Sequence, residues 1–345
     1  MKYGCQDYAK ESTLPMVDKY SRKINYLRVS VTDRCNLRCI YCMPAEGISC
    51  LRHEEILNYE EIHRIIRIAT QLGIRKVRLT GGEPLVRKGI TGFVQSLSTI
   101  RALEDISMTT NGILLENFAE ELFHAGMRRI NISLDSLDAE KYRQITRLGD
   151  LQTVLRGIEK ARETGFSPIK INIVAIKGFN DDEILDFARL TFDHPFQIRF
   201  IELMPLGNAG MESDSRFLSN DFIRNKIETL GKLDHIKRGQ NGTDGPADIY
   251  ALAGSKGQIG LISAITHNFC SSCNRLRLTA DGQLRTCLLT DEETDLRGPM
   301  RSGCSDTELS HIIQEAVANK PARHKIATNG NYVKKCVKEM SAIGG

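Results

Sequence analysis

Between residues 25 and 202 the sequence repeats one unit, a short alternating apolar run followed by a stretch of helical periodicity. No other feature constrains the fold as much. The runs predict strands at Tyr26–Thr32, Lys76–Thr80, Ile106–Thr110, Ile130–Leu134, Ile169–Ala175 and Ile198–Leu203. Helices are predicted between them over Tyr59–Leu72, Phe118–His124, Leu151–Thr164 and Asp181–Thr191. Repeated βα units argue for a parallel sheet, and six of them fall short of the eight that close a full barrel.

The predicted strands are two-faced. Leu27, Val29 and Val31 alternate with Arg28, Ser30 and Thr32, and Lys76, Arg78 and Thr80 alternate with Val77 and Leu79. Asn131 and Ser133, and then Lys170 and Asn172, interleave with isoleucines in the same way. A strand between helices and an apolar barrel core would be apolar on both faces. Here one face is polar and repeatedly cationic, which predicts a wide, wet, positive lumen. An open sheet with one solvated face gives the same alternation.

After Met204 the texture changes. Pro205–Ser215 is rich in Gly, Ser and Asn, and a domain boundary is expected near residue 215. Beyond it the pattern predicts helices over Asn220–Leu230 and Asp306–Asn319 and strands at Gln258–Ser263, Arg275–Thr279 and Gln283–Cys287. The fold class expected is α/β: a partial (β/α)6 TIM-like barrel over residues 16–215, then a C-terminal α+β domain over 216–345. Residues 1–15 are left as an unassigned tail.

A chain of 345 residues with 41% hydrophobic content can bury a sizeable core. No apolar run approaches the ~18 residues of a membrane span. Met1–Pro15 is polar and broken, without the apolar centre of a secretory signal, so residence in a reducing cytoplasm is expected. The net charge of +4 comes without a dense basic run, which argues against a nucleic-acid partner. In a long chain of this kind, clustered cysteines read as metal ligands rather than disulfides. Six of the ten fall into two spaced groups, leaving Cys5, Cys50, Cys304 and Cys336 as ordinary thiols.

The first group lies in Thr32–Pro44, T-D-R-C-N-L-R-C-I-Y-C-M-P, directly after the first strand. Cys35, Cys39 and Cys42 place three soft thiolates on one short loop, enough to hold three irons of a [4Fe–4S] cluster and leave the fourth for a small molecule. A zinc site with a distant fourth ligand is the alternative, although zinc usually takes paired C-x2-C spacings. Thr80–Pro84, T-G-G-E-P, is a turn whose glycines permit close backbone approach. The second group, Cys270, Cys273 and Cys287, suits an iron–sulfur cluster or a structural zinc with His267 or Cys304 as fourth ligand equally well. Arg275 and Arg277 follow it at strand spacing and share a face, and guanidinium forks match phosphate oxygens.

C-x3-C-x2-C with Tyr41 before the last cysteine resembles the signature of radical S-adenosylmethionine enzymes. Taken in order with the T-G-G-E-P turn, T-T-N-G at Thr109–Gly112, I-R-F-I-E-L-M-P at Ile198–Pro205, F-C-S-S-C-N-R-L-R-L-T at Phe269–Thr279 and the Gly-Gly terminus, it resembles the GTP 3′,8-cyclase family of molybdenum cofactor biosynthesis. The resemblance runs from about Val17 to Gly345. It implies reductive cleavage of S-adenosylmethionine and cyclisation of GTP to 3′,8-cyclo-7,8-dihydro-GTP, with two [4Fe–4S] clusters, the second carried by the C-terminal domain.

On this resemblance Cys35, Cys39 and Cys42 bind the first cluster and Cys270, Cys273 and Cys287 the second. Tyr41, Gly82, Ser133 and Met204 contact S-adenosylmethionine, and Arg28, Arg78, Thr109, Lys170, Arg275 and Arg277 contact GTP. Arg28, Arg275, Arg277 and the terminal Gly344 and Gly345 are implicated in catalysis. Also implied are an electron donor such as flavodoxin or ferredoxin, a downstream cyclic pyranopterin monophosphate synthase, and a monomer or homodimer with neither nucleic-acid nor membrane partners. Arg275→Ala or Arg277→Ala is expected to spare the iron and suppress GTP turnover.

Overall fold

A computed structural model of the chain describes residues 16–207, 213–236, 245–324, 336 and 338–344. The expectations for residues 1–15, Cys5 and Gly345 lie outside the described residues. Six parallel strands run in sequence order: β1 (Tyr26–Ser30), β2 (Lys76–Thr80), β3 (Asp105–Thr110), β4 (Arg129–Ser133), β5 (Ile169–Ala175) and β6 (Gln197–Glu202). Later in the chain come β7 (Leu233–Ile236), β8 (Asp248–Leu252), β9 (Gln258–Ile262), β10 (Arg275–Leu278), β11 (Gln283–Arg285) and β12 (Thr294–Asp295).

The C-terminal strands do not form a layer of their own. β10 pairs parallel with β1, Arg277 opposite Arg28, and β9 pairs parallel with β6. Eight parallel strands therefore stand side by side, and antiparallel β11–β12 and β8–β7 continue the sheet to its two edges. The sheet runs unbroken from the N-terminal half of the chain into the C-terminal half. Beyond the strands and helices expected, helices form at Ile90–Ser98 and Ala139–Thr146. The first carries Thr91, Gly92, Ser96 and Ser98, poor helix formers, and is held by burial of Ile90, Phe93, Val94 and Leu97.

The apolar core lies between the sheet and its helices. Leu27, Val29, Val77, Leu79, Ile130, Ile132, Ile171 and Ile173 pack outward against helical residues such as Ile62, Ile65, Val94, Leu122, Val154 and Phe187. The opposite strand face is polar and enclosed: Lys76, Arg78, Asn131, Lys170 and Arg199 are all buried. This is the polar lumen expected from the alternation and not a solvated sheet face. Among the described residues no helix is long and apolar enough to cross a membrane.

Candidate functional site

The loop after β1 is held by its own backbone. Cys42 and Met43 N–H both donate to the Cys39 carbonyl (2.9 and 3.2 Å), Leu37 N–H approaches Cys35 Sγ at 3.4 Å, and Arg38 donates to the Cys35 carbonyl at 2.7 Å. The T-G-G-E-P turn packs directly onto it. Gly82 N–H donates to Thr32 O (2.7 Å) and Glu83 N–H to Arg34 O (2.8 Å). A Cβ at Gly82 would sit 2.3 Å from Arg34 O, and one at Gly81 2.6 Å from Thr32 O, so the glycines are demanded by this contact.

Glu83 points inward and accepts from Thr110 Oγ1 (2.8 Å), Asn111 N–H (2.7 Å) and Leu85 N–H (3.0 Å). Burial pushes its carboxyl up to about 7 against those hydrogen bonds. Tyr41 Oη donates to Asp135 Oδ2 at 2.6 Å, while Asp135 Oδ1 accepts from Val174 N–H at 2.8 Å. Burial raises Asp135 to about 6. The phenol beside the last cysteine is thereby pinned to the end of β4.

All six motif cysteines line one cavity of ≈ 290 Å³ into which every one of the eight parallel strands projects a side chain. Arg28, Arg78, Arg199, Arg275 and Arg277 face the same space, as do Tyr41, Gly82, Thr109, Ser133 and Met204. The two triplets differ in the charges beside them. Glu83 acts on Cys35 and Asp135 on Cys39, whereas Arg275 donates to Cys273 Sγ at 3.8 Å. Burial pushes Cys42 up to about 12 and raises Cys35 and Cys39 as well, so loading a metal centre there displaces protons. Burial also opposes ionisation of Cys273, but Arg275 and Lys320 outweigh it and bring that thiol down to about 6. Burial, then Arg78 and Arg275, lower Arg28 to about 10, the mark of guanidinium groups crowded together and suited to a polyanion.

The donor set fits the groups that the sequence resemblance implies. Tyr26 Oη, Thr80 Oγ1, Thr109 Oγ1 and Asn172 Oδ1 are buried cavity-lining atoms without a hydrogen-bond partner, as expected where a polar ligand belongs. Among the described residues no three His, Cys, Asp or Glu side chains converge on a single metal ion. A cubic cluster instead takes one thiolate per iron at separate corners, so it needs sulfurs spread around a volume. Neither suggested zinc ligand joins the second triplet: His267 pairs with Asp221 (2.9 Å) at the surface, and Cys304 packs beside the main core.

Two other expected residues lie off the cavity lining. Lys170 sits one inward-facing position before Asn172 on β5, deeper in the lumen. Gly344 has φ +81°, and a Cβ there would meet Ser30 Cβ at 2.7 Å and Thr80 Oγ1 at 3.3 Å, which puts the tail against the mouths of β1 and β2. Sequence reasoning passed over Arg199, Asn172, Glu83 and Asp135 as site residues. Arg199 carried a usable signal, since it follows the same alternation on β6 that marked Arg28 and Arg78.

Residues 29–191 match the Radical SAM superfamily and residues 196–326 match Molybdenum Cofactor Synthesis C. The chain is 48% identical over 332 residues to a GTP 3′,8-cyclase of Thermodesulfovibrio yellowstonii, covering 96% of this chain and 100% of that protein. It is 49% identical over 330 residues to a GTP 3′,8-cyclase of Heliobacterium modesticaldum, with the same coverage. Among solved structures it is similar to Streptococcus suis SuiB, at a TM-score of 0.57 and 13% identity over 88% of this chain and 68% of that one, a likeness of fold.

Proposed function

This chain belongs to the GTP 3′,8-cyclase family of radical S-adenosylmethionine enzymes, which performs the first step of molybdenum cofactor biosynthesis, and from that premise we propose how its own side chains serve the reaction. Its resident cofactors include a [4Fe–4S] cluster and S-adenosylmethionine, which together would supply the radical chemistry directed at C3′ of GTP. Cys35, Cys39 and Cys42 hold that cluster. Tyr41, Gly82, Ser133 and Met204 bind S-adenosylmethionine beside it, with Asp135 fixing the Tyr41 ring.

We assign Cys270, Cys273 and Cys287 to a second [4Fe–4S] cluster, which would supply a Lewis-acidic iron for the guanine base. Arg28, Arg78, Lys170, Arg275 and Arg277, with Thr109, hold the triphosphate and ribose. They act by orientation and by exclusion of water, since the reacting carbons need no protein acid or base to meet. Gly344 closes the mouths of β1 and β2, and the catalytic role proposed for the tail extends to Gly345. An electron donor such as flavodoxin or ferredoxin, a downstream cyclic pyranopterin monophosphate synthase and a cytoplasmic setting complete the reading.

The observation that carries this reading is the convergence of both cysteine triplets and five arginines on one cavity. Its test is anaerobic reconstitution followed by turnover of GTP with dithionite and S-adenosylmethionine. The hydrogen lost from C3′ is replaced by one at N7, so the product has the mass of GTP and must be followed by retention time and by 5′-deoxyadenosine. About eight irons per chain and GTP-dependent 5′-deoxyadenosine are expected. About four irons, or cleavage indifferent to GTP, would refute the assignment of the second triplet.

A further inference from the structure

The second cysteine triplet is enclosed from behind by a segment that the reaction scheme above leaves without a role. Lys320, at the end of the helix Asp306–Ala318, is 2% exposed. Its Nζ donates to the carbonyls of Arg275 (3.0 Å) and Thr286, one two residues after Cys273 and the other immediately before Cys287. The Cys273 and Cys287 sulfurs are its foremost favourable charge partners. Four residues on, the backbone N–H of His324 donates toward Cys270 Sγ.

Between these points the carbonyls of Pro321 and Ala322 turn to Arg22, which donates to them at 2.7 and 3.1 Å and to the Cys270 carbonyl at 2.8 Å. Arg22 is itself fixed by Asp18 at 2.5 Å, both side chains being almost wholly buried. Segments some 250 and 300 positions apart in sequence thus meet on one guanidinium. A buried ammonium aimed at carbonyls that flank two cysteines, and a buried guanidinium tying the third, form a built support. A plain core would leave such cations needlessly desolvated.

We propose that residues 320–324 are a strap behind the second triplet, with Lys320 the positioning residue that sets Cys273 and Cys287 and Arg22 the clamp that fixes the strap. The inference rests on the assignment of a second iron–sulfur cluster to that triplet. A cluster held by three thiolates is anionic and becomes more so on reduction, so the Lys320 charge raises its reduction potential. Arg22, its charge offset by Asp18 at 2.5 Å, acts on retention of the cluster rather than on its potential.

The experiment uses the full chain with Cys35, Cys39 and Cys42 replaced by Ala, so that only the second cluster is read, by iron and sulfide content, potentiometric EPR and iron release to a chelator. Lys320→Met is expected to lower the midpoint potential, and Lys320→Arg to return it toward the parent value. Arg22→Met is expected to keep the potential and to release iron about tenfold faster. If the parent itself takes up no iron–sulfur cluster, the two-cluster assignment fails and the strap with it. If the parent loads and Lys320→Met keeps its potential, or Arg22→Met its release rate, the strap alone is wrong. Should Lys320→Met fail to fold by circular dichroism, the release rate of Arg22→Met decides.

Discussion

Lys170 faces Arg199, Arg129, Arg78 and Lys76 from inside the barrel, and burial together with these cations pushes its ammonium down to about 5. The unfolded chain, with an ordinary lysine near ~10.4, binds more protons than the native one between those values. The penalty is therefore full below pH 5 and fades as pH rises towards 10. Lys170→Met should stabilise the metal-free protein by about 1–4 kcal/mol at neutral pH, judging from buried charges replaced by apolar groups. The advantage should shrink as pH climbs. The same substitution should weaken GTP binding roughly tenfold, because the phosphates favour the protonated amine and Lys170 takes up a proton as it gains one charge-assisted contact. Urea unfolding across pH and equilibrium binding check both halves, and a variant less stable than wild type would show Lys170 to be structural. Arg277→Ala is a cleaner probe of substrate contact than Arg275→Ala. Arg275 also donates to Cys273 Sγ and stacks on Phe269 (4.6 Å), so its loss can disturb the second triplet. Arg277→Ala should retain wild-type iron while GTP turnover falls by two orders of magnitude or so, as when one preorganised charge contact is removed. Iron loss from it would make Arg277 a support for the second triplet.

The turn after β2 shows how one element fixes another. Its glycines bring a backbone within hydrogen-bonding distance of the cysteine loop, and a methyl group at residue 82 has nowhere to go but into the Arg34 carbonyl. Gly82→Ala should push the two loops apart and strip the first cluster selectively, reducing iron from about eight to about four per chain. Mössbauer or EPR spectra should then show only the second centre, and a fully loaded Gly82→Ala chain would mean that the loops tolerate separation. The glycines were legible in the sequence as a turn, but their partner was not, because a close approach between segments fifty residues apart leaves no local signature. The six N-terminal strands were legible as short apolar runs, four of them through a strictly alternating face. Helix Ala139–Thr146 was not, being a short polar segment fixed by the Asp138 cap on Lys141 N–H (2.8 Å) and by burial of Tyr142 and Ile145. Nor was the seating of β9 and β10 on opposite edges of the barrel sheet. Their composition says strand, but only β1 and β6, each lacking a neighbour, decide where they pair.

Across the molecule, the two halves of the chain are joined at a point that the linear sequence hides. Cys336 pairs with Leu206, its carbonyl accepting Gly207 N–H at 3.0 Å, and Lys338 binds Glu293 at 2.6 Å just beyond the second triplet. Ser341 N–H then approaches Cys42 Sγ, Ile343 is buried with Leu206, Ile265 and Leu289, and Gly344 arrives in left-handed backbone against Ser30 and Thr80. The tail thus runs from the neighbourhood of one cysteine triplet to the other, and only its last step requires glycine. Gly344→Ala adds about 1–2 kcal/mol of left-handed backbone cost and a methyl 2.7 Å from Ser30 Cβ, while the anchors at Cys336 and Lys338 stay intact. The terminus should leave the lumen without loosening the rest of the tail. Iron content and thermal unfolding should match wild type, and GTP turnover should drop about tenfold or more, the factor that ~1.4 kcal/mol in a barrier produces. Lys338→Ala, which frees the anchor instead of the tip, should reduce turnover in the same direction and restore none of it when combined with Gly344→Ala. Wild-type turnover by the Gly344→Ala chain would mean that the tail is only a structural edge of the cavity.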